Sequence, residues 1–137
     1  MKAIIDSNVF IAAWHQRDGH NDEAVRILQQ VAQVEAEEVF IPNYVVVEVV
    51  NFLLRKASFE MAQAAMEYLT KTERIKIIFV DVIMSKQIEP FFSKYKTLSL
   101  TDCSILSLAE ELGITVIYSF DAGFDQVKGV ERREQYI

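Results

Sequence analysis

The fold is decided by residues 98–121, whose sequence is LSLTDCSILSLAEELGITVIYSFD. The first half predicts a helix over residues 102–112, ended by Gly113, because glycine readily adopts the left-handed conformation of a helix C-terminus. The second half is apolar and β-branched, so residues 115–119 predict a buried strand. Asp102 stands at the predicted start of the helix, and Asp121 follows the predicted strand. The segment is therefore a helix–strand unit with an acid at each end.

The same alternation of helices and short apolar strands extends through the rest of the chain. Further strands are predicted over residues 2–5, 39–41 and 75–80, with a last edge strand over 130–137. Helices are predicted over residues 9–14, 21–34, 44–56, 59–69 and 82–89, with Asn43, Ser58 and Asp81 as caps. Pro90 leaves the continuation of the last helix open, because proline removes a helical hydrogen bond. This alternation predicts an α/β fold with a mainly parallel central sheet flanked by helices.

Length and charge limit the class of protein. The 137 residues predict one domain over residues 1–137, and 51% hydrophobic with 25% charged residues is typical of a globular chain. The net charge of −6 argues against a broad basic surface for nucleic acid. It does not exclude a metal-dependent nuclease, because the acids of such a site add negative charge until cations bind.

Cysteine content and hydropathy indicate the compartment. The single Cys103 excludes an intramolecular disulfide and fits a reducing cytoplasm. Asp6 and Asn8 interrupt the first apolar run too early for a signal peptide. No stretch approaches the roughly 18 consecutive apolar residues of a membrane-spanning helix. We therefore expect a cytoplasmic protein without a membrane segment.

Four acids are candidates for a shared site: Asp6, Glu48, Asp102 and Asp121. Asp6 and Asp121 each follow a predicted strand, and Glu48 lies within the apolar stretch YVVVEVV. Carboxyl ends of parallel strands meet at one edge of a sheet, where α/β proteins form their sites. An unpaired carboxylate in apolar surroundings is unfavourable, so a cation is expected to join them. The pattern includes no histidine or cysteine, which favours Mg²⁺ or Mn²⁺ over zinc.

Four short motifs carry a family resemblance. They are IIDSNVF at residues 4–10, Pro42-x-x-Val45-x-x-Glu48, Leu100-x-Asp102-x-x-Ile105-x-x-x-Ala109 and Ser119-x-Asp121-x-x-Phe124. In this order, and over nearly the whole chain, they resemble the PIN-domain nucleases, including the toxin ribonucleases called VapC. Each motif alone is weak, but four in order on a predicted α/β background make a specific signal.

The resemblance implies a metal-dependent endoribonuclease that hydrolyses RNA phosphodiester bonds. Asp6, Glu48, Asp102 and Asp121 would be both catalytic residues and ligands of Mg²⁺ or Mn²⁺. The metal would activate a water and stabilise charge on the scissile phosphate. Asn8, with Ser119 or Thr101, would orient the carboxylates or bound waters. The resemblance also implies an RNA substrate, a homodimer and, for a toxin, an antitoxin that covers the acidic site.

The position of each acid can also be explained by a purely structural role. Asp6 is also suited to end a strand and cap the following turn, and Asp102 to interact with a helix macrodipole. Asp121 fits an ordinary turn, and Asp125 competes with it for the fourth position. Glu48 has the weakest such explanation, because its neighbours are apolar. These separate explanations do not account for the four acids occurring together.

The other notable polar residues are predicted to have structural roles and no part in the site. His15 and His20 lie in a polar loop over residues 15–20, and we expect them to be solvated. Asp81 follows a strand, and a helix cap accounts for it. Cys103 adjoins Asp102 in an apolar context, which indicates packing.

Two other functions remain open from the sequence. One is a non-catalytic PIN scaffold that binds RNA or protein partners. The other is a phosphotransfer or phosphatase domain of the same fold class, with Asp6 as the nucleophile. A haloacid-dehalogenase type would have an aspartate where this chain has Asn8, and no receiver-type acid pair and lysine stand out.

Overall fold

A computed structural model of the chain describes residues 1–33 and 37–136. The strands are β1 (Lys2–Ile5), β2 (Glu38–Pro42), β3 (Ile75–Ile78), β4 (Val116–Tyr118) and β5 (Glu131–Arg133). The helices are α1 (Ser7–Trp14), α2 (Asn21–Gln33), α3 (Asn43–Lys56), α4 (Phe59–Lys71), α5 (Val82–Lys94) and α6 (Leu100–Leu112). A short 3-10 helix covers Ala122–Gln126.

The strands form one sheet in the order β3-β2-β1-β4-β5, and every pairing between them in the described residues is parallel. The central strand is β1, whose Ile4 lies beside Phe40 of β2 and Ile117 of β4. Parallel pairing brings the carboxyl ends of the strands to one edge. The predicted α/β fold, with a parallel sheet flanked by helices, is confirmed.

Helix α6 is the most buried helix next to the sheet. All eight residues over 102–109 are buried, including Ile105 and Leu108 with no exposed surface. Ser99 caps the helix, and Gly113 ends it with φ of 66°, as the sequence predicts for this glycine. Leu100 at the start of the helix is exposed, but burial begins at Asp102, which lies in the interior near the amino end of α6.

Three helix starts differ from the sequence prediction. Helix α6 begins at Leu100, because Ser99 and Asp102 form a capping box in which each side chain accepts the other's backbone N–H. Helix α1 begins at Ser7 with Asp6 as its N-cap. Asn43 does not cap α3: it is the first helical residue, and its Oδ1 accepts the N–H of Val80 at 2.7 Å.

The ends of other elements differ as well. Strand β3 ends at Ile78, two residues early, since the Val80 N–H bonds to Asn43 instead of a neighbouring strand. Helix α5 continues through Pro90 to Lys94, which resolves the open question there. Strand β5 covers three residues, and predicted Val34 and Ile137 lie outside the described residues. Within the described part of the chain, no helix is long and apolar enough to cross a membrane.

Candidate active site at the carboxyl edge of the sheet

The candidate acids lie on elements that leave the same edge of the sheet. Asp6 directly follows β1, and Asp121 lies three residues beyond the end of β4. Glu48 is in the second turn of α3, which begins directly after β2. Asp102 is in the first turn of α6. The fold therefore brings four separate parts of the sequence to one region.

Asp6 is the buried centre of this region, with 2% of its surface exposed. Its Oδ1 accepts the backbone N–H of Ser7 at 2.7 Å and the Ser7 hydroxyl at 3.3 Å. Its Oδ2 accepts the Ser119 hydroxyl at 2.7 Å and the Asn8 amide at 3.2 Å. All four partners donate, so the side chain is held as a hydrogen-bond acceptor on both oxygens.

Asn8 and Ser119 connect Asp6 to the end of β4. The Asn8 amide donates to the Ser119 hydroxyl at 3.2 Å, and its Oδ1 accepts the Phe120 N–H at 3.2 Å. The Ser119 Oγ also accepts the Asp121 N–H at 3.0 Å. The sequence analysis names Asn8 with Ser119 or Thr101 as supports, and the structure joins Asn8 and Ser119 to Asp6, whereas the Thr101 carbonyl accepts the Ser104 hydroxyl. The backbone of residues 119–121 is thereby fixed relative to Asp6.

Glu48 differs from its sequence-based expectation. Val45, Val49 and Leu53 form the buried face of α3, whereas Glu48 is exposed, so its apolar neighbours in sequence do not surround it. Its Oε1 accepts the Ser7 hydroxyl, which also contacts Asp6. Ser7 therefore links two of the acids, and the sequence analysis missed it. The available signal was a hydroxyl directly after an acid at a strand end.

Asp121 is half-buried and caps the 3-10 helix, where its Oδ1 accepts the Gly123 N–H at 2.8 Å. A Cβ atom at position 123 would lie 3.0 Å from that same oxygen and 2.9 Å from Cδ2 of Leu98. A larger residue at position 123 would therefore have to displace the Leu98 side chain, so the turn favours glycine.

The acids influence one another electrostatically. Burial raises the pKa of Asp6 from 3.8 to about 7; nearby Asp102 and Glu48 add to the rise, against the hydrogen bonds from Ser119 and Ser7. Burial also raises the pKa of Asp102, against its bonds to Ser99, and the charges of Asp121 and Glu48 raise it further. Within residues 1–33 and 37–136, no lysine or arginine forms an ion pair with any of the four.

Asp125, the competitor for Asp121, has different surroundings. Arg132 binds both of its oxygens, at 2.9 and 3.0 Å, and also binds Glu134 at 2.7 Å. The Arg132 hydrogen bonds lower the pKa of Asp125. The same guanidinium donates to the Ser119 carbonyl at 3.1 Å. Asp125 is thus already paired with a cation, and Asp121 is not, so Asp121 stays the candidate.

The remaining polar residues behave mostly as expected. Asp81 caps α5, accepting the Met84 N–H at 2.8 Å, and Cys103 is fully buried among core residues. His15 is half-buried near Phe52. His20 is exposed but also stacks on Phe120, a contact that its sequence position does not indicate.

Metal ligation is not preformed in the described residues. No three His, Cys, Asp or Glu side chains there are placed so as to hold a metal ion. Each candidate acid is instead held by its own hydrogen bonds, to Ser7, Ser99, Ser119 or Gly123.

Comparison with protein families decides the relationship. The family model of the PIN domain matches residues 3–130. The chain belongs to the PIN domain family. This confirms the resemblance on which the sequence analysis relied, because the match contains all four motifs. A search of the curated proteins found no match.

Several solved structures share the fold. VapC20 of Mycobacterium tuberculosis, a sarcin-ricin loop cleaving toxin, has a TM-score of 0.80 at 18% identity, covering 90% of this chain and 92% of that chain. VapBC2 of Rickettsia felis, bound to a promoter DNA fragment, has a TM-score of 0.70 at 14% identity, and the match covers 97% of this chain and 98% of that chain. VapBC-1 of nontypeable Haemophilus influenzae has a TM-score of 0.67 at 16% identity, and the match covers 97% of each chain. At these identities, the likeness establishes the fold.

Proposed function

We propose that this PIN domain is an endoribonuclease that hydrolyses RNA phosphodiester bonds with the help of Mg²⁺ or Mn²⁺. The observation that carries the proposal is Asp6, a buried carboxylate at the strand edge that faces other acids and has no cationic partner among the described residues. A protein gains little from such an arrangement unless a cation joins it. Family membership supports the assignment to nuclease chemistry.

The donor chemistry of the region fits a hard cation. Carboxylate oxygens of Asp6, Glu48, Asp102 and Asp121 are the proposed ligands, and the hydrogen-bonding groups around Asp6 are hydroxyl, amide and backbone groups. Oxygen donors favour Mg²⁺ or Mn²⁺, whereas zinc prefers sites with nitrogen or sulfur. The rise in the pKa of Asp6 fits too, because a divalent cation would stabilise its charged form.

The residues have distinct proposed tasks. When bound, the metal supplies an activated water and neutralises charge on the scissile phosphate. Asp6 and Asp102, both buried, would hold it from the protein side. Glu48 and Asp121 are more exposed and would face the RNA. Asn8, Ser119 and Ser7 hold Asp6 in place through their donated hydrogen bonds.

The proposed partners are an RNA substrate, an antitoxin protein and a second copy of the chain. Support for the antitoxin comes from the fold matches, several of which are toxin–antitoxin complexes. The rival proposal, a non-catalytic scaffold, predicts binding without cleavage. An assay for cleavage separates the two.

The test is cleavage of a mixed panel of structured and single-stranded RNAs with Mn²⁺ or Mg²⁺. We expect cleavage that EDTA abolishes, and none from Asp6→Asn. Asp81→Asn is the matched control, because Asp81 is also an acid beyond a strand end, and asparagine caps a helix about as well as aspartate. Cleavage that resists EDTA, or full activity of Asp6→Asn, would contradict the proposed mechanism.

A further inference from the structure

An exposed aromatic stack lies beside the acidic region. The rings of His20 and Phe120 are parallel within 6°, with their centroids 4.2 Å apart. Phe120 is half-buried and stands between Ser119 and Asp121, whereas His20 is exposed. One face of the His20 ring is therefore covered by Phe120, and the ring is otherwise largely open to solvent.

Both members of the stack are held by the backbone around them. The Phe120 N–H donates to Oδ1 of Asn8 at 3.2 Å, which ties Phe120 to the network around Asp6. The His20 N–H donates to Oδ1 of Asp18 at 2.8 Å, and the His20 carbonyl accepts the Ala24 N–H at 3.0 Å. These anchors involve backbone atoms of both residues. The stack is thus preorganised, and replacing the His20 side chain leaves its anchors in place.

A flat aromatic face beside a phosphodiester site suits a nucleobase. Bases of single-stranded RNA stack on aromatic side chains, and the contact does not depend on net charge. A chain with a net charge of −6 gains little from general attraction to phosphates. A stacking contact would supply affinity that electrostatics does not, and would fix the strand beside the acids.

We propose that the exposed face of His20, supported by Phe120, receives one nucleobase of the RNA next to the scissile phosphate. The inference rests on the proposed endoribonuclease function and adds to it a contact with the base. The other histidine of this loop does not offer the same surface. His15 is half-buried and meets Phe52 edge-on, at 75° and 6.1 Å between centroids.

The experiment measures binding of a fluorescein-labelled single-stranded RNA of about ten nucleotides, within the usual range of single-strand sites. Fluorescence anisotropy is recorded with Mn²⁺ in the Asp102→Asn background, where the proposed function predicts that the probe stays intact. His20→Ala should weaken binding about five- to tenfold, since one stacked base contributes about 1 kcal/mol or more. In the active chain, His20→Ala should raise KM with little change in kcat.

Two further variants separate stacking from other effects. His20→Phe keeps the aromatic face and should bind within about twofold of the parent. Phe59→Ala is the control, because Phe59 is an exposed aromatic residue at the start of α4, beyond the carboxyl end of α3, whereas Glu48 lies in the second turn of α3. An abasic nucleotide placed in turn at each probe position should remove the His20→Ala effect at one position only.

Each outcome decides between the proposals. Binding by His20→Ala as tight as by the parent, or a His20→Phe variant as weak as His20→Ala, would overturn the stacking proposal and leave the nuclease untouched. Base-dependent binding without metal-dependent cleavage would overturn the nuclease and keep the stacking site. Loss of all RNA binding in every variant, including the parent, would overturn both.

Discussion

Two groups of carboxylates lie close together in this protein, with opposite electrostatic surroundings. Asp125 and Glu134 share the guanidinium of Arg132, and the pKa of Asp125 is lowered. Asp6 and Asp102 are buried among other acids, and the pKa of each is raised. Arg132 thus neutralises Asp125 and Glu134, whereas Asp6 and Asp102 are left facing other acids. That contrast is expected if a cation from outside the chain completes the buried group.

Ser119 belongs to both regions. Its hydroxyl donates to Asp6 at 2.7 Å, and its carbonyl accepts Arg132 at 3.1 Å. Arg132 therefore fixes the end of β4 through the backbone, while its charge is directed to Asp125 and Glu134. This arrangement holds the acidic region in place without neutralising it.

The largest expected effect is on cleavage activity, when one acid from each group is replaced in turn. Asp102→Asn should lower metal-dependent RNA cleavage by more than about a hundredfold, because even groups behind metal ligands contribute up to that factor. Asparagine at this position still has an oxygen to accept the Ser99 N–H, so the cap on α6 is retained. Asp125→Asn should change activity by a small factor. Equal losses in the two variants would remove the distinction between the groups.

Stability of the metal-free protein should depend on pH in a direction set by Asp6. Its pKa rises from 3.8 to about 7, so between these values the folded chain binds more protons than the unfolded chain. The free energy of unfolding should therefore fall as pH rises through this window, by at most about 4 kcal/mol, and level off above it. Urea unfolding in EDTA across pH 4 to about 8 measures this.

Asp6→Asn supplies the matched control for that slope. The variant has no titrating group at position 6, so its stability should vary less with pH. Its absolute stability is not the readout, because asparagine has one oxygen for the four donors that Asp6 now accepts. A slope unchanged by the substitution would assign the pH dependence to other groups.

A smaller effect is expected from Arg132. Arg132→Ala should lower cleavage by up to about tenfold by releasing the Ser119 carbonyl and Asp125, as loss of supporting groups commonly does. Arg132→Lys should lose less of the cleavage rate than Arg132→Ala but should not reach the parent rate, because lysine lacks the planar fork that binds both oxygens of a carboxylate. Cleavage rates and metal affinity are measured for both variants. If Arg132→Ala raised metal affinity instead, the guanidinium charge would be acting on the acids.

The sequence predicts the fold and the candidate acids for physical reasons. Short apolar strands and capped helices are local patterns, so β1, α6 and the cap at Ser58 follow from neighbouring residues. Asp6 and Asp121 follow from the rule that strand ends meet at one edge. The prediction that Asn43 caps α3 was wrong, because its side chain accepts the N–H of Val80, which lies far along the chain.

Contacts between distant residues account for what the sequence did not provide. Ser7 joins Asp6 to Glu48, and no local pattern gives that second partner. Glu48 was expected among apolar neighbours, yet the helix turns Val45 and Val49 to the core and leaves Glu48 outside. The ring contact of His20 with Phe120 likewise depends on the folded loop. The roles of the acids themselves stay predictions.

Calorimetric titration of the protein with Mn²⁺ and Mg²⁺, free of any partner protein, tests the central claim most directly. We predict saturable binding that raises Tm, since a ligand of the folded state stabilises it. Asp102→Asn should weaken this binding strongly, and Asp125→Asn should leave it nearly unchanged. Absence of saturable binding for both ions, or equal binding by the parent and Asp102→Asn, would contradict the account.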